Sequence, residues 1–402
     1  MSVLRDFQLP FPEKDSIFTV AGLAAKAKQT NNDVIDGTLG ALYDDNGKLI
    51  TYDSIFKIVR NLTNEQFASY APITGGEEYK ETIKEWILPN KNTIPSCEVN
   101  ASMGGSGAIY LTLSQFFNEN DDVILLSPYW GPYDLFVKSR KLNTVKTPFL
   151  VDEKFNIDSV RELLIKSAKE KKRVGLFINS PANNPTGYSL TNEEWKQLIQ
   201  AVNEASKYGV VVLVNDIAYI DYSEDLSNSR EYMNYFNELS ENVILSICVS
   251  FSKSLSFYGL RLGALIYYTK NEDDLALLRK GITLETRATW SNPNHSAINS
   301  VNILAKDKEI FNKENRKYAS LLLNRGKTFT KFAKQYNLPM YPYKEGFFIT
   351  IPGCENNEDY CERLMKRNVF LVNQGDSIRI AICAIKENDM ERLVKILKEE
   401  LK

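Results

Sequence analysis

The middle of the chain alternates short apolar runs with segments whose apolar positions recur at helical spacing. "DDVILLSP" (121–128), "RVGLFINSP" (173–181), "GVVVLVNDIAY" (209–219) and "NVILSICVSFS" (242–252) are apolar on both faces, as strands covered by helices must be. Between them "IDSVRELLIKSAKEKK" and "NEEWKQLIQAVNEASKYG" read as helices, the second ending at Gly209 as a C-cap. "SMGGSGAIYLTLSQFF" predicts a helix opened by small residues, with Ile109, Leu113, Phe116 and Phe117 along its apolar face. From about residue 300 the texture changes to the long charged helix "KENRKYASLLLNRGKTFTKFAKQY" and the strands "EGFFITIPG" and "SIRIAICAI". A last helix carries Met390, Leu393, Val394, Leu397 and Leu401 on one face. The pattern predicts an α/β protein: a three-layer α/β/α large domain over 49–300 with a mostly parallel sheet, and a smaller α+β domain over 301–402. An N-terminal arm, 1–48, is expected to contribute to the smaller domain.

Composition narrows the function. The chain has 402 residues, 43% hydrophobic and 25% charged, with a formal net charge of -2, so no strong field invites nucleic acid or an anionic membrane surface. No apolar run approaches the ~20 residues of a membrane helix. The start, "MSVLRDFQLPFPEKDS", lacks the continuous apolar core of a signal peptide, which makes a cytoplasmic protein the expectation. Five scattered cysteines without a C-x-x-C pair read as reduced thiols. The single histidine, His295, excludes a metal site built on several histidines, and no metal is expected. It also turns attention from Ser-His or Cys-His machinery to Lys, Tyr or a carboxylate as proton carrier.

In open α/β sheets ligands sit beyond the carboxyl ends of the strands, and here those ends carry unusual groups. Gly104, Gly105 and Ser106 open a helix, where free N–H groups suit an anion. "SPYWGPY" offers Trp130 and Tyr133 beside a strand end. "NSPANNPTGYSL" presents the amides Asn179, Asn183 and Asn184 in a turn stiffened by Pro185. "VNDIAYIDY" ends an apolar strand with Asp216 and Tyr219. "SFSKSLSFYGLRLGALI" places Lys253 among Ser250, Ser252 and Ser254, with Arg261 eight residues on. Each feature alone has a plain structural explanation: a tight turn, packing, a cap, a solvated lysine. Together they supply an anion cradle, a stacking aromatic, a carboxylate, a phenol, an amide and an amine. One ligand accounts for all six, pyridoxal phosphate.

With S-x-S-K followed by Arg261, N-P-T-G and D-x-A-Y, the chain resembles the fold-type-I pyridoxal-phosphate aminotransferases of class I/II, most closely the aspartate and aromatic amino acid branch. The resemblance runs from "IDGTLGALYDDNGKL" to "SIRIAICAI". It implies that Lys253 forms the Schiff base, that Asp216 pairs with the pyridine nitrogen, and that Asn184 and Tyr219 bind the ring oxygen. It assigns Gly105, Ser106, Ser250, Ser252 and Arg261 to the phosphate and Trp130 to the ring face. Tyr70 in "FASYAPITGGEEY" matches the tyrosine that reaches the neighbouring subunit's phosphate, which implies a homodimer with shared active sites. Gly40 matches the glycine of the segment that closes over substrate, and Arg379 the grip on the substrate α-carboxylate. Arg287 in "RATWSNP" matches the arginine offered by the partner to a distal carboxylate. Where the branch places histidines near the aspartate and the ring, this chain has Asn179 and Tyr133.

The implied reaction is transamination between an L-amino acid, aspartate or aromatic, and a 2-oxo acid, with 2-oxoglutarate as the expected acceptor. The alternatives are another reaction on the same scaffold, such as a C–S β-lyase, and, further off, a regulatory domain of the kind fused to DNA-binding modules. No winged-helix segment or basic face supports the latter.

Overall fold

The computed structural model describes residues 16–401; residues 1–15, the beginning of the predicted arm, lie outside the described residues, as does Lys402. Seven strands form the central sheet: β1 (Glu98–Met103), β2 (Asp122–Ser127), β3 (Asn143–Pro148), β4 (Arg173–Asn179), β5 (Val210–Asp216), β6 (Val243–Ser250) and β7 (Leu262–Tyr268). Their order is β1-β7-β6-β5-β4-β2-β3. The sheet is parallel except for β7, which runs antiparallel to both β1 and β6.

The apolar runs predicted four of these strands, and burial explains why they were legible. Val211, Val212, Leu213 and Val214 of β5 are all fully buried, although successive residues point to opposite faces. The helices include α1 (Ser16–Lys28), α2 (Gly104–Gln115), α3 (Pro132–Ser139), α4 (Ile157–Lys171), α5 (Asn192–Ala205), α6 (Glu272–Thr289), α7 (His295–Ala305), α8 (Glu309–Gln335) and α9 (Met390–Glu400), of which α2, α4 and α5 lie against the faces of the sheet. One apolar cluster packs Leu164, Trp195 and Leu198 on one face of the sheet, and another packs Leu111, Leu113 and Val137 on the other.

Three local expectations shift. Helix α5 stops at Ala205 with Ser206 as its cap, not at Gly209. A Cβ at Gly209 would lie within 3 Å of the Lys172 carbonyl carbon and of Ala168 O, so its smallness serves a close backbone approach. Helix α2 ends at Gln115, leaving Phe116 as its cap and Phe117 beyond it. The segment "SIRIAICAI" is a strand only to Ile380 and then turns into a 3₁₀ helix at Ile382–Ala384.

A separate core gathers the ends of the chain. Ile35, Leu42 and Ile50 pack with Phe329, Ile349, Leu393 and Leu397. The two-residue strand Ile35–Asp36 pairs in parallel with Val369–Phe370. A small sheet orders β8 (Ile349–Pro352), β10 (Ser377–Ile380) and β9 (Val372–Asn373), all antiparallel. The expected boundary at residue 301 falls inside α7, whose Val301 and Leu304 pack into the sheet-side core.

Candidate active site

A cavity of ≈ 310 Å³ opens at the carboxyl ends of β4, β5 and β6 and is closed from above by the 36–50 segment and the small sheet. Gly105, Ser106, Trp130, Asn184, Asp216, Tyr219, Ser250, Ser252, Lys253, Arg261, Gly40 and Arg379 all line it. The reversal of β7 makes this convergence possible. β6 delivers Ser250 and Lys253 at its end; β7 returns antiparallel, so Arg261, just before its first residue, sits at the same edge. Arg261 adopts a left-handed backbone, φ 54°, which a non-glycine residue takes only when its surroundings require it. Its guanidinium donates to Ser252 Oγ at 3.1 Å and to the Tyr258 carbonyl at 3.0 Å. A Cβ on Gly104, φ +67°, would come 2.7 Å from Arg261 Nη2, and one on Gly105 would come 3.1 Å from Ser250 Cβ. The glycines thus leave open a cradle bounded by the first N–H groups of α2 and a guanidinium, a fit for a phosphate.

The neighbouring strand ends hold one another. Asn179 Nδ2 donates to the Asp216 carbonyl at 2.9 Å, while its Oδ1 accepts the Asn184 N–H at 2.6 Å. Asn184 Nδ2 lies 3.3 Å from the Tyr219 hydroxyl, and Asn184 Oδ1 is buried without a partner. Asp216 accepts from the Ala218 N–H at 3.0 Å and from the Tyr133 hydroxyl at 2.5 Å. Burial raises the Asp216 carboxyl above its usual range, opposed by these two donors. Trp130 stands edge-on to Tyr133, centroids 5.3 Å apart.

Lys253 is the chemically unusual group. Burial is the main cause that brings its pKa down to about 8; Cys383 opposes this, and the nearby Arg379 and Arg261 cations add to it. Its Nζ donates to the Gly40 carbonyl at 2.6 Å. Arg379 lies across the cavity, 3% exposed, with no carboxylate partner among the described residues. Its Nη2 donates to the Thr38 carbonyl at 2.7 Å and its Nε is buried and unpaired. A buried guanidinium without an anion is a site prepared for one.

Tyr70 and Arg287 do not line the cavity of their own chain. Tyr70 is 88% exposed, and Arg287 is exposed, donating to Ser291 Oγ. They share one surface, since Asn292, which also accepts from Arg287 at 3.5 Å, donates to the Ala71 carbonyl at 2.7 Å.

The cavity residues that escaped the reading of the sequence include Phe348 and Tyr258. Phe348 packs beneath Arg379, whose guanidinium carbon is 4.7 Å from the ring centroid. Tyr258, five residues after Lys253, accepts the Leu42 N–H at 3.1 Å and so ties the 36–50 segment to the cavity floor. Both lie in stretches already singled out, but aromatics there look like ordinary core.

The model of the family described as aminotransferase class I and II matches residues 32–397. The mitochondrial aspartate aminotransferase of Dictyostelium discoideum is 25% identical over 392 residues, 92% of this chain and 87% of that protein. The crystal structure of an aminotransferase from Anaerococcus prevotii DSM 20548 superposes with a TM-score of 0.95 at 31% identity, covering 100% of this chain and 99% of that one. The aromatic-amino-acid aminotransferase from Burkholderia pseudomallei, solved covalently bound to pyridoxal phosphate, shares the fold at a TM-score of 0.81 and 19% identity, with 100% of both chains covered. The chain belongs to the class I and II aminotransferases. It is of fold type I, its cofactor is pyridoxal phosphate, and its chemistry is amino-group transfer. The cradle, the orphaned Asn184 oxygen and the buried, readily deprotonated amine are the features that fit this cofactor.

Proposed function

We propose that this protein transfers the amino group of L-aspartate and of aromatic L-amino acids to 2-oxoglutarate, with Lys253 as the covalent attachment point of the cofactor. The observation that carries the reading is the pairing of a buried amine, its pKa lowered to about 8, with the anion-free Arg379 across one cavity. The bound cofactor supplies an aldehyde for the substrate nitrogen and a cationic ring that accepts the electron pair freed at Cα.

This chain's residues do the rest. Gly105, Ser106, Ser250, Ser252 and Arg261 hold the phosphate. Trp130 covers the ring face, Asn184 and Tyr219 bind the ring oxygen, and Asp216 holds the pyridine nitrogen's proton. Arg379 takes the α-carboxylate through its forked donors and so orients Cα. Lys253, once free, takes the proton from Cα as general base; its depressed pKa leaves a useful neutral fraction near neutral pH. The segment around Gly40, tied down at Tyr258, excludes water.

We also propose a homodimer in which Tyr70 and Arg287 complete the partner's site, Tyr70 at its phosphate and Arg287 at the substrate's distal carboxylate. Their exposure on one surface supports this, as do exposed Phe67 and Leu284 nearby in the chain. The small domain is read as 301–402 with the arm 1–48, supported by their common core. A cytoplasmic location is supported by five free thiols; no described helix is long and apolar enough to cross a membrane.

The test is to add single amino acids to the loaded protein and follow the cofactor's absorption. Aspartate and phenylalanine should each shift the band and yield their oxo acids, and 2-oxoglutarate should restore it. Pyruvate and ammonia released from cysteine-type substrates without any acceptor would favour a lyase instead.

A further inference from the structure

Asp216 is a carboxylate in an awkward position. It is 6% exposed, and no cation pairs with it among the described residues. Isolated in that way it would tend to take up a proton and become a neutral acid. Two donors oppose this. The Ala218 N–H occupies Oδ1 at 3.0 Å and the Tyr133 hydroxyl occupies Oδ2 at 2.5 Å.

Tyr133 is built for this contact. It begins the second residue of α3, is 3% exposed, and is wedged between Phe177 of β4, centroids 5.1 Å apart, and Trp130, 5.3 Å away. Its hydroxyl has no other hydrogen-bond partner among the described residues to compete for the proton, and toward a carboxylate it can only donate. We propose that Tyr133 is a positioning residue for the cofactor, a fixed donor that keeps Asp216 charged and aimed into the cavity. The proposal rests on the assignment of Asp216 to the pyridine nitrogen.

The choice of a phenol has a consequence for pH. Burial and the adjacent carboxylate push the Tyr133 ionisation far up, so the donor keeps its proton throughout the working range. The other titratable groups facing the pair are Cys248 of β6 and Tyr219 after β5, and burial pushes both of these up as well. Neither of these two groups therefore changes charge near neutrality.

The experiment titrates cofactor-free protein with pyridoxal phosphate, by tyrosine and tryptophan fluorescence, from about pH 6 to about pH 9. For Tyr133→Phe the ratio of its dissociation constant to that of the unaltered protein is read at each pH. Losing a hydrogen bond to a charged group should weaken binding about tenfold or more at the acid end. The ratio should shrink as pH rises, because Asp216 regains its charge above its newly raised pKa. A ratio near one, or one that is constant with pH, overturns the proposal.

Asp216→Asn separates the two assignments. If it leaves cofactor affinity unchanged, the reading of Asp216 fails. If it weakens affinity and Tyr133→Phe adds a further loss in that background, the reading of Asp216 stands and the role given to Tyr133 fails; no further loss supports it. Should the Phe variant not fold, Tyr133→His replaces the phenol with a donor that titrates. Its ratio should then step near the imidazole pKa, and a flat ratio overturns the proposal.

Discussion

Lys253 is readable as a nucleophile from both the sequence and its surroundings. Its neutral form is the reactive one, and burial brings its pKa to about 8. Cofactor attachment to the apo protein should therefore speed up as pH rises through about 8 and level off above it; stopped-flow absorbance checks this, and a rate flat across that interval contradicts the assignment. Lys253→Ala should lower kcat by more than about a hundredfold, the contribution of a general base, while still binding cofactor without a covalent bond. Reduction with borohydride, which traps the attachment in the unaltered protein, should fail in the variant. Arg379→Leu should raise KM for the amino acid by at least about tenfold, since the guanidinium has no carboxylate partner among the described residues. At this scale the sequence was most informative where charge and polarity interrupt an apolar run: Asp216 ends β5, Lys253 follows the end of β6 by three residues, and Arg261 immediately precedes β7. It was silent on Phe348 and Tyr258, because an aromatic in an apolar stretch carries no sign of facing a cavity.

Among the elements, the reversed strand β7 was not distinguishable in advance. "RLGALIYY" reads the same in either direction, and only pairing with Ser250 through Leu245 settles its sense. Fully buried strands such as β5 announced themselves, whereas β1 and β3 did not, being half polar in sequence; β3 has exposed and half-buried positions at the sheet edge. The 36–50 segment is held by side chains from distant elements: Arg379 on Thr38, Tyr258 on Leu42, and the buried Arg325 of α8 on Asp45 at 2.8 Å. Gly40 is where it runs closest to the site. A Cβ there would lie 2.6 Å from Phe348 Cζ, and that ring is held by Arg379 above and Tyr219 beside it. Gly40→Ala should cost about 1–3 kcal/mol of stability through overpacking, or lift the segment and raise KM more than it lowers kcat. Urea unfolding and steady-state kinetics together test this; an unchanged midpoint and unchanged KM would show that the approach is not limiting.

For the whole molecule, sharing of sites is the sharpest expectation. A protein carrying Lys253→Ala and a protein carrying Tyr70→Ala with Arg287→Ala should each be weakly active or inactive alone. Mixed and allowed to exchange subunits, they should recover about a quarter of full activity, because half the dimers are mixed and each has one intact site. No recovery, despite mixed dimers seen on native mass spectrometry, would mean each chain works by itself. The topology also orders events in time. Ile35 pairs with Val369, and Leu42 packs among residues of α8 and α9. A ribosome therefore releases the first of these long before the last. The sheet can close early, but the pocket's roof has to wait for nearly the entire polypeptide, and nascent chains stalled before residue 369 should expose an apolar edge that recruits chaperones.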